Sequence, residues 1–229
     1  MSANPIISKM KNFFAPAKTI PRTPWTANSL WSFEYRRFFI LTFGLIIFGF
    51  GDSFLINSHI GNAPWSVLAQ GLSKHLPISI GMCTFFISTL VLLLWIPLRE
   101  RPGLGTVLNI LLIASAIQVG VDYFPKLDNR FLLQVTYVLL GIYLVGIGSA
   151  LYITCGLGPG PRDGLMTALH KRTGVRVSRV RLGIEVFVLI SGALLGGQVG
   201  IGTALFALLI GLSVALNLTF VGKLVQKVN

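Results

Sequence analysis

The sequence predicts an all-α polytopic membrane protein: six transmembrane helices arranged as two inverted three-helix repeats, each with a short re-entrant or interfacial helix. Three observations predict it: an apolar composition, a one-sided spread of positive charge, and glycine motifs that recur at a fixed interval. Of 229 residues, 53% are hydrophobic and 11% charged, against roughly 25% charged in soluble domains. Runs long enough to cross a hydrocarbon core, about 20 residues, lie at Arg37–Asn57, Ser79–Leu98, Leu104–Asp122, Phe131–Ile153, Val180–Gly200 and Ile201–Val221. Only GGQVGIG separates the last two, and an alternative folds part of that region into a re-entrant hairpin.

The charge distribution orients these runs. With the N-terminus in the cytoplasm, Lys9, Lys11, Lys18, Arg22, Arg36 and Arg37 share a side with Arg99 and Arg101. Alternating crossings add Arg162, Lys171, Arg172, Arg176, Arg179, Arg181, Lys223 and Lys227, leaving Lys74, Lys126 and Arg130 opposite. The positive-inside rule therefore expects both termini in the cytoplasm. A net charge of +12 would suggest nucleic acid in a soluble chain, but here topology and the anionic inner leaflet of the lipid bilayer account for it. No nucleic-acid partner is expected.

Residues 1–35 read as a basic cytoplasmic tail, 36–125 as the first repeat, 126–222 as the second, and 223–229 as a cytoplasmic C-terminal tail. The tail segment KNFFAPAKTIPRTPW is broken by prolines and has no continuous apolar core ahead of a small-residue cleavage site. It does not read as a cleaved signal peptide. A disordered tail is expected, with contact to the inner leaflet as the alternative. Cys83 and Cys155 fall on different segments without metal-ligand spacing, and His59, His75 and His170 read as loop residues. No disulfide, metal or cofactor is expected.

The repeat rests on GLGT at 103–106 and GIGT at 200–203, which set an offset of 97 residues. A fixed period is the signature to test for. The same offset places Gly49 and Gly51 on Gly146 and Gly148, Gly61 and Pro64 on Gly158 and Pro161, and Gly103 and Gly105 on Gly200 and Gly202. Residues matched this way are mostly Gly, Pro and Thr, which hydrophobicity alone does not repeat. Each half reads as helix, Gly-Pro loop, short helix, helix, G-x-G-T turn, helix. Three crossings are an odd number, so the second half enters from the opposite side. Many secondary transporters have this architecture.

Candidate functional residues follow from that plan. Pro64 and Pro161 suit the first turn of a helix, where the missing N–H costs nothing. The short segments they start place N–H groups toward a central cavity, where an anionic or polar group binds, or else lie in the headgroup region. Asn62 in the outer loop and Arg162 and Asp163 in the inner loop belong to the same neighbourhoods; Arg162 and Asp163 gate the cavity or pair with each other, and Asp163 also suits the positive end of a helix. Asp52, inside the first helix, is expensive in a membrane and normally faces a cavity or partner, where it binds a cation or carries a proton, or else it lies close enough to the outer interface to stay hydrated. Asn109, just after GLGTVL, approaches the pseudo-axis. Arg181 and Glu185, four residues apart, read as a buried structural ion pair. Asn57, Gln118, Gln134 and Asn217 read as polar links between helices. No catalytic triad, phosphate loop, dinucleotide fingerprint or H-E-x-x-H pair occurs, so an enzyme is not expected.

The stretches GIGSALYITCGLGPGPRDGLMTAL and VRLGIEVFVLISGALLGGQVGIGTALFALLIG resemble the YczE/YyaS/YitT family of bacterial membrane proteins, and within it the YczE-like branch. The resemblance runs from about Arg36 to Val221 and carries both repeats. It implies a small bacterial inner-membrane protein and supplies no catalytic residue set. The leading reading is a transporter of an unknown small molecule working by alternating access. The competing reading is a membrane scaffold or accessory protein, and lipid handling through a lateral opening is a third. A cavity lined by the matched loops and Asp52 would favour transport, whereas tight apolar packing along the pseudo-axis would favour a scaffold. A homodimer stays open, with no GxxxG seam to assign it.

Overall fold

The structure, a computed structural model, describes residues 19–228, with side chains as far as Val225. The basic stretch with Lys9, Lys11 and Lys18, and the side chain of Lys227, lie outside the described residues. All regular structure among the described residues is helical: α1 (Tyr35–Ser58), α2 (Pro64–His75), α3 (Ile80–Leu93), α4 (Trp95–Leu98), α5 (Leu104–Tyr123), α6 (Phe131–Thr154), α7 (Pro161–Thr173), α8 (Val177–Leu194) and α9 (Ile201–Val228). Five stretches are long and apolar enough to cross a membrane: α1, Ile80–Leu98 (α3 continuing into α4), α5, α6 and α9 as far as Val225. Large apolar side chains cover the outside, among them Phe39, Leu132, Phe187 and Leu208. Lipid is the solvent that suits such a surface. The chain is a membrane protein, all-helical among the described residues.

Two elements differ from the sequence expectation, each for a local reason. The expected fifth crossing is a helix, but it starts at Val177 and holds Arg179, Arg181 and Glu185 in its first half, which sets it apart from the five apolar helices. The GGQVG stretch lies outside it, because the chain reverses at Gly196 in the left-handed region (φ 83°). The second run is interrupted at Leu94. Pro97 explains this, since its ring clashes with the carbonyl four residues back, at Leu93, and it offers no N–H to that carbonyl.

α1 and α6 lie at the centre and pack along their lengths, α5 flanks α1 and α9 flanks α6. Glycines set these approaches, and they do so in equivalent pairs. A methyl on Gly49 would strike Ala116 of α5, and one on Gly146 would strike Ser213 of α9. Gly51 faces Gly141 and Val145 of α6, while Gly148 faces Gly44 and Phe48 of α1. Each contact recurs 97 residues on. The loops follow the same rule with a crossing: Gly105 N–H donates to Leu157 O at 2.8 Å, and Gly202 N–H donates to Ile60 O at 2.8 Å. Each G-x-G-T start therefore seats against the Gly-Pro loop of the other half. Gly61 (φ 121°) and Gly158 (φ 107°) turn those loops through backbone angles open to little besides glycine.

The short helices are exchanged as well. α2 packs on α8 as well as on α3 of its own half, and α7 packs on α3 and α4 as well as on α8. One pair breaks the equivalence: α3 packs on α5, but α8 and α9 barely touch.

Residues 19–34, assigned to the tail by sequence, are docked on the helices. Ala27 N–H donates to Cys155 O at 2.9 Å and Leu104 N–H to Leu30 O at 2.9 Å. Thr26 Oγ1 donates to Thr154 O at 2.9 Å, Trp25 Nε1 to Thr154 Oγ1 at 3.2 Å, and Arg37 Nε to Trp25 O at 2.6 Å. The open carbonyls at the end of α6 need such donors. That end is at Thr154.

Candidate functional site

α2 and α7 begin alike. Their N-caps, Ala63 and Gly160, are extended and have no side-chain oxygen to cap with, and Pro64 and Pro161 occupy the first helical turns. The first amides to find helical partners are Val67, on Ala63 O at 2.9 Å, and Gly164, on Gly160 O at 3.0 Å. The N–H groups of Trp65, Ser66, Arg162 and Asp163 therefore have no partner within their own helices. Both first turns line one cavity of about 160 Å³, which is also bounded by α1, α3, α5, α6, α8 and α9. The two short helices thus point their positive ends at shared space.

Three charged groups define that space. Asp52 of α1 is 1% exposed; its Oδ2 accepts from Ser66 Oγ at 3.2 Å, while its Oδ1 has no partner among the described residues. Arg162 of α7 lays its guanidinium over the Trp65 ring of α2, 4.8 Å from the centroid. It makes no hydrogen bond or ion pair among the described residues, though the charges of Asp52, Asp163 and Glu185 act on it. Asp163 accepts from Tyr152 OH of α6 at 2.8 Å. Arg162 and Asp163, adjacent in sequence, are not a pair: consecutive helical residues point in different directions.

The remaining predicted residues divide between cavity and scaffold. Asn109 and the Arg181–Glu185 pair line the cavity. The pair forms at 2.9 Å but is not buried, with its side chains 49% and 29% exposed. Asn62 is buried elsewhere, donating Nδ2 to Gln70 Oε1 at 2.9 Å and its backbone N–H to Gln198 O at 3.2 Å. It belongs to the loop scaffold and does not reach the cavity. Asn57 joins α1 to the end of α5 by donating to Gly120 O and Phe124 O, and Gln118 of α5 accepts from Gly81 N–H. His75 and His170 close and occupy α2 and α7 respectively instead of loops, while His59 caps α1 and meets Asp128 at 3.0 Å. No group of three His, Cys, Asp or Glu comes together among the described residues.

Sequence reasoning missed Trp65, Tyr152 and Trp95. Ser149 stands 97 residues after Asp52 and lines the same cavity, so the repeat contained its signal. Trp65 follows Pro64 directly and was legible as a first-turn aromatic. Tyr152 has no local signal. Trp95, 2% exposed, donates Nε1–H to Pro161 O at 3.0 Å and lies flush against Gly164, where a methyl would overlap the indole. Gly164→Ala should therefore push Trp95 off α7 and lower the melting temperature. Overpacking costs about 1–3 kcal/mol, so thermal unfolding followed by tryptophan fluorescence should move down by roughly 2–12 °C. An unchanged midpoint would mean that the indole can step aside.

What the arrangement offers chemically is a surplus of donors at one wall and a buried carboxylate oxygen short of a donor at another. Comparison with other proteins places this chain in a family. A family described as of unknown function (DUF6198) matches residues 35–218. An "Uncharacterized protein" of Haemophilus influenzae (strain ATCC 51907 / DSM 11121 / KW20 / Rd) is 43% identical over 207 residues, covering 90% of this chain and 94% of the relative. The "Uncharacterized membrane protein YczE" of Bacillus subtilis (strain 168) is 34% identical over 177 residues, 76% of this chain and 82% of its own. The "Uncharacterized protein YyaS" of the same organism is 26% identical over 176 residues, 74% of this chain and 86% of its own. No solved structure matches. From Tyr35 to Leu218 the chain belongs to this family of YczE-like membrane proteins.

Proposed function

We propose that the protein is a secondary transporter of the bacterial inner membrane, moving a small polar molecule by alternating access between two inverted halves. In this reading α8 is the sixth crossing, and its Arg179 and Arg181 lie toward the cytoplasm together with both termini. The observation that carries the reading is the convergence of two repeat-related first turns, one from each half, on a single cavity holding Asp52 and Arg162. A scaffold would have no use for a buried carboxylate oxygen without a donor, because such a group is expensive in a membrane interior. Inverted-repeat transporters place broken or short helices at a midplane site, and exchange of the two halves' conformations opens each side in turn. No catalytic step is assigned to the protein.

The test is labelling from each side of sealed vesicles. In a background of Cys83→Ala and Cys155→Ala, Ala63→Cys should react with an impermeant maleimide from outside and Gly160→Cys from inside. A bound substrate should change the two rates in opposite directions. Reaction of both positions from one face would sink the inverted arrangement, and rates that never change reciprocally would sink alternating access.

A further inference from the structure

The charges that line the cavity are not equally free. Arg181 and Glu185 satisfy each other at 2.9 Å, and Asp163 has the Tyr152 hydroxyl at 2.8 Å. Two groups remain. Asp52 Oδ1 is a buried acceptor without a donor, and the Arg162 guanidinium is a set of donors without an acceptor among the described residues. Although opposite in sign and facing the same small cavity, they do not form an ion pair within 4.0 Å, as the ion pairs found among the described residues do not include them. They belong to different halves, one on α1 and the other on α7. A structural pair would close; these two leave a gap.

Each group is also prepared for a particular partner. Trp65 covers one face of the guanidinium, which leaves the planar N–H edge free for a carboxylate, the geometry in which arginine binds two oxygens at once. The open N–H groups of Arg162 and Asp163 stand at the same helix start and add donors for those oxygens. On the other side, Ser66 Oγ already serves Asp52 Oδ2, so the free Oδ1 has room for one further N–H donor. A plain anion would leave Oδ1 unserved and add a second negative charge. A plain cation would leave Arg162 unserved. Leaving one partner of a buried charge site empty is the costly outcome. A ligand that serves both groups carries no net charge, which also lowers its cost inside a membrane.

Size narrows the class further. The cavity is small, about 160 Å³, which suits a ligand with few heavy atoms between its two charged ends. We propose that the cavity binds a small zwitterion, with its primary ammonium on Asp52 Oδ1 and its carboxylate on the Arg162 guanidinium and the first turn of α7. This rests on the reading of the cavity as a substrate site, and it names the substrate class.

The test is an equilibrium one, so that it does not depend on transport. Binding of glycine, β-alanine and γ-aminobutyrate to the purified full-length protein in detergent is measured by calorimetry, with propionate and propylammonium as one-ended controls. At least one of the three amino acids should bind about 10-fold or more tightly than either control, the scale expected of a charge-assisted contact. Asp52→Asn should erase its advantage over propionate, and Arg162→Gln its advantage over propylammonium. If none of the three exceeds both controls by that margin, including the case of no binding, the assignment is overturned by the wild-type protein alone. An advantage that survives in both variants overturns it as well. Uptake into proteoliposomes separates the two proposals: binding without uptake supports the zwitterion and removes transport, whereas uptake of propionate or propylammonium alone removes the zwitterion and keeps transport.

Discussion

Gly103→Val is expected to lower the melting temperature of the detergent-purified protein by roughly 10 °C and to reduce its yield in the membrane. A side chain at Gly103 would run into the carbonyl of Leu157 and crowd Leu30 O, both backbone atoms. Leu157 cannot give way alone, since its oxygen accepts the Gly105 amide at 2.8 Å. Relief of the clash therefore breaks that bond and strands a buried N–H. Overpacking costs about 1–3 kcal/mol and a stranded buried amide a further ~1–3 kcal/mol. A loss of around 3 kcal/mol, at about 2–4 °C per kcal/mol for a chain of this size, gives the shift. Gly200→Val should match it, because a side chain there would meet Ile60 O in the same way. Intact thermal stability in both variants would show that the loops do not seat as described.

Asp52→Asn should do the opposite to stability while removing binding. The carboxylate is 1% exposed and has one hydrogen bond, so most of its lost hydration is uncompensated. Asparagine keeps an acceptor for Ser66 and sheds the charge. The expected change is an equal or higher midpoint, by about 2–4 °C for a gain of roughly 1 kcal/mol, with binding of the preferred amino acid weakened about 10-fold or more. Sites kept for function commonly hold such instability. A midpoint lowered by 5 °C or more, about 1 kcal/mol or above on the same scale, would instead make Asp52 part of the packing, and the substrate reading would lose its main support.

Much of this arrangement was legible because its key positions need particular residue types. Pro64 and Pro161 start helices where proline is free to sit, and the matched glycines mark places where backbones meet. These requirements survive in sequence as an offset of 97. Asp52 was legible for the opposite reason, as a residue out of keeping with its apolar surroundings. What escaped was decided between halves. The stack of Arg162 on Trp65 and the bond from Tyr152 to Asp163 link different helices, and local spacing does not encode such pairs. Asn62 was read toward the cavity by its place in a loop, but Gln70 and Gln198 hold it aside. The docking of residues 19–34 under α6 has no counterpart in the second half, so the repeat could not reveal it. In α8, an apolar run from Val180 disguised a helix whose first turns are charged.

The exchange of loops between halves also sets a timetable for synthesis. The Ile60 carbonyl waits for the Gly202 amide, 142 residues later in the chain. At ~5–20 residues per second this is roughly 7–28 s of elongation. During that interval the first three membrane segments are inserted with one of their turns still unfinished. Leu157 reaches Gly105 earlier, so the two interlocked loops close in sequence, and the ribosome delivers the last of them with the first turn of the final helix.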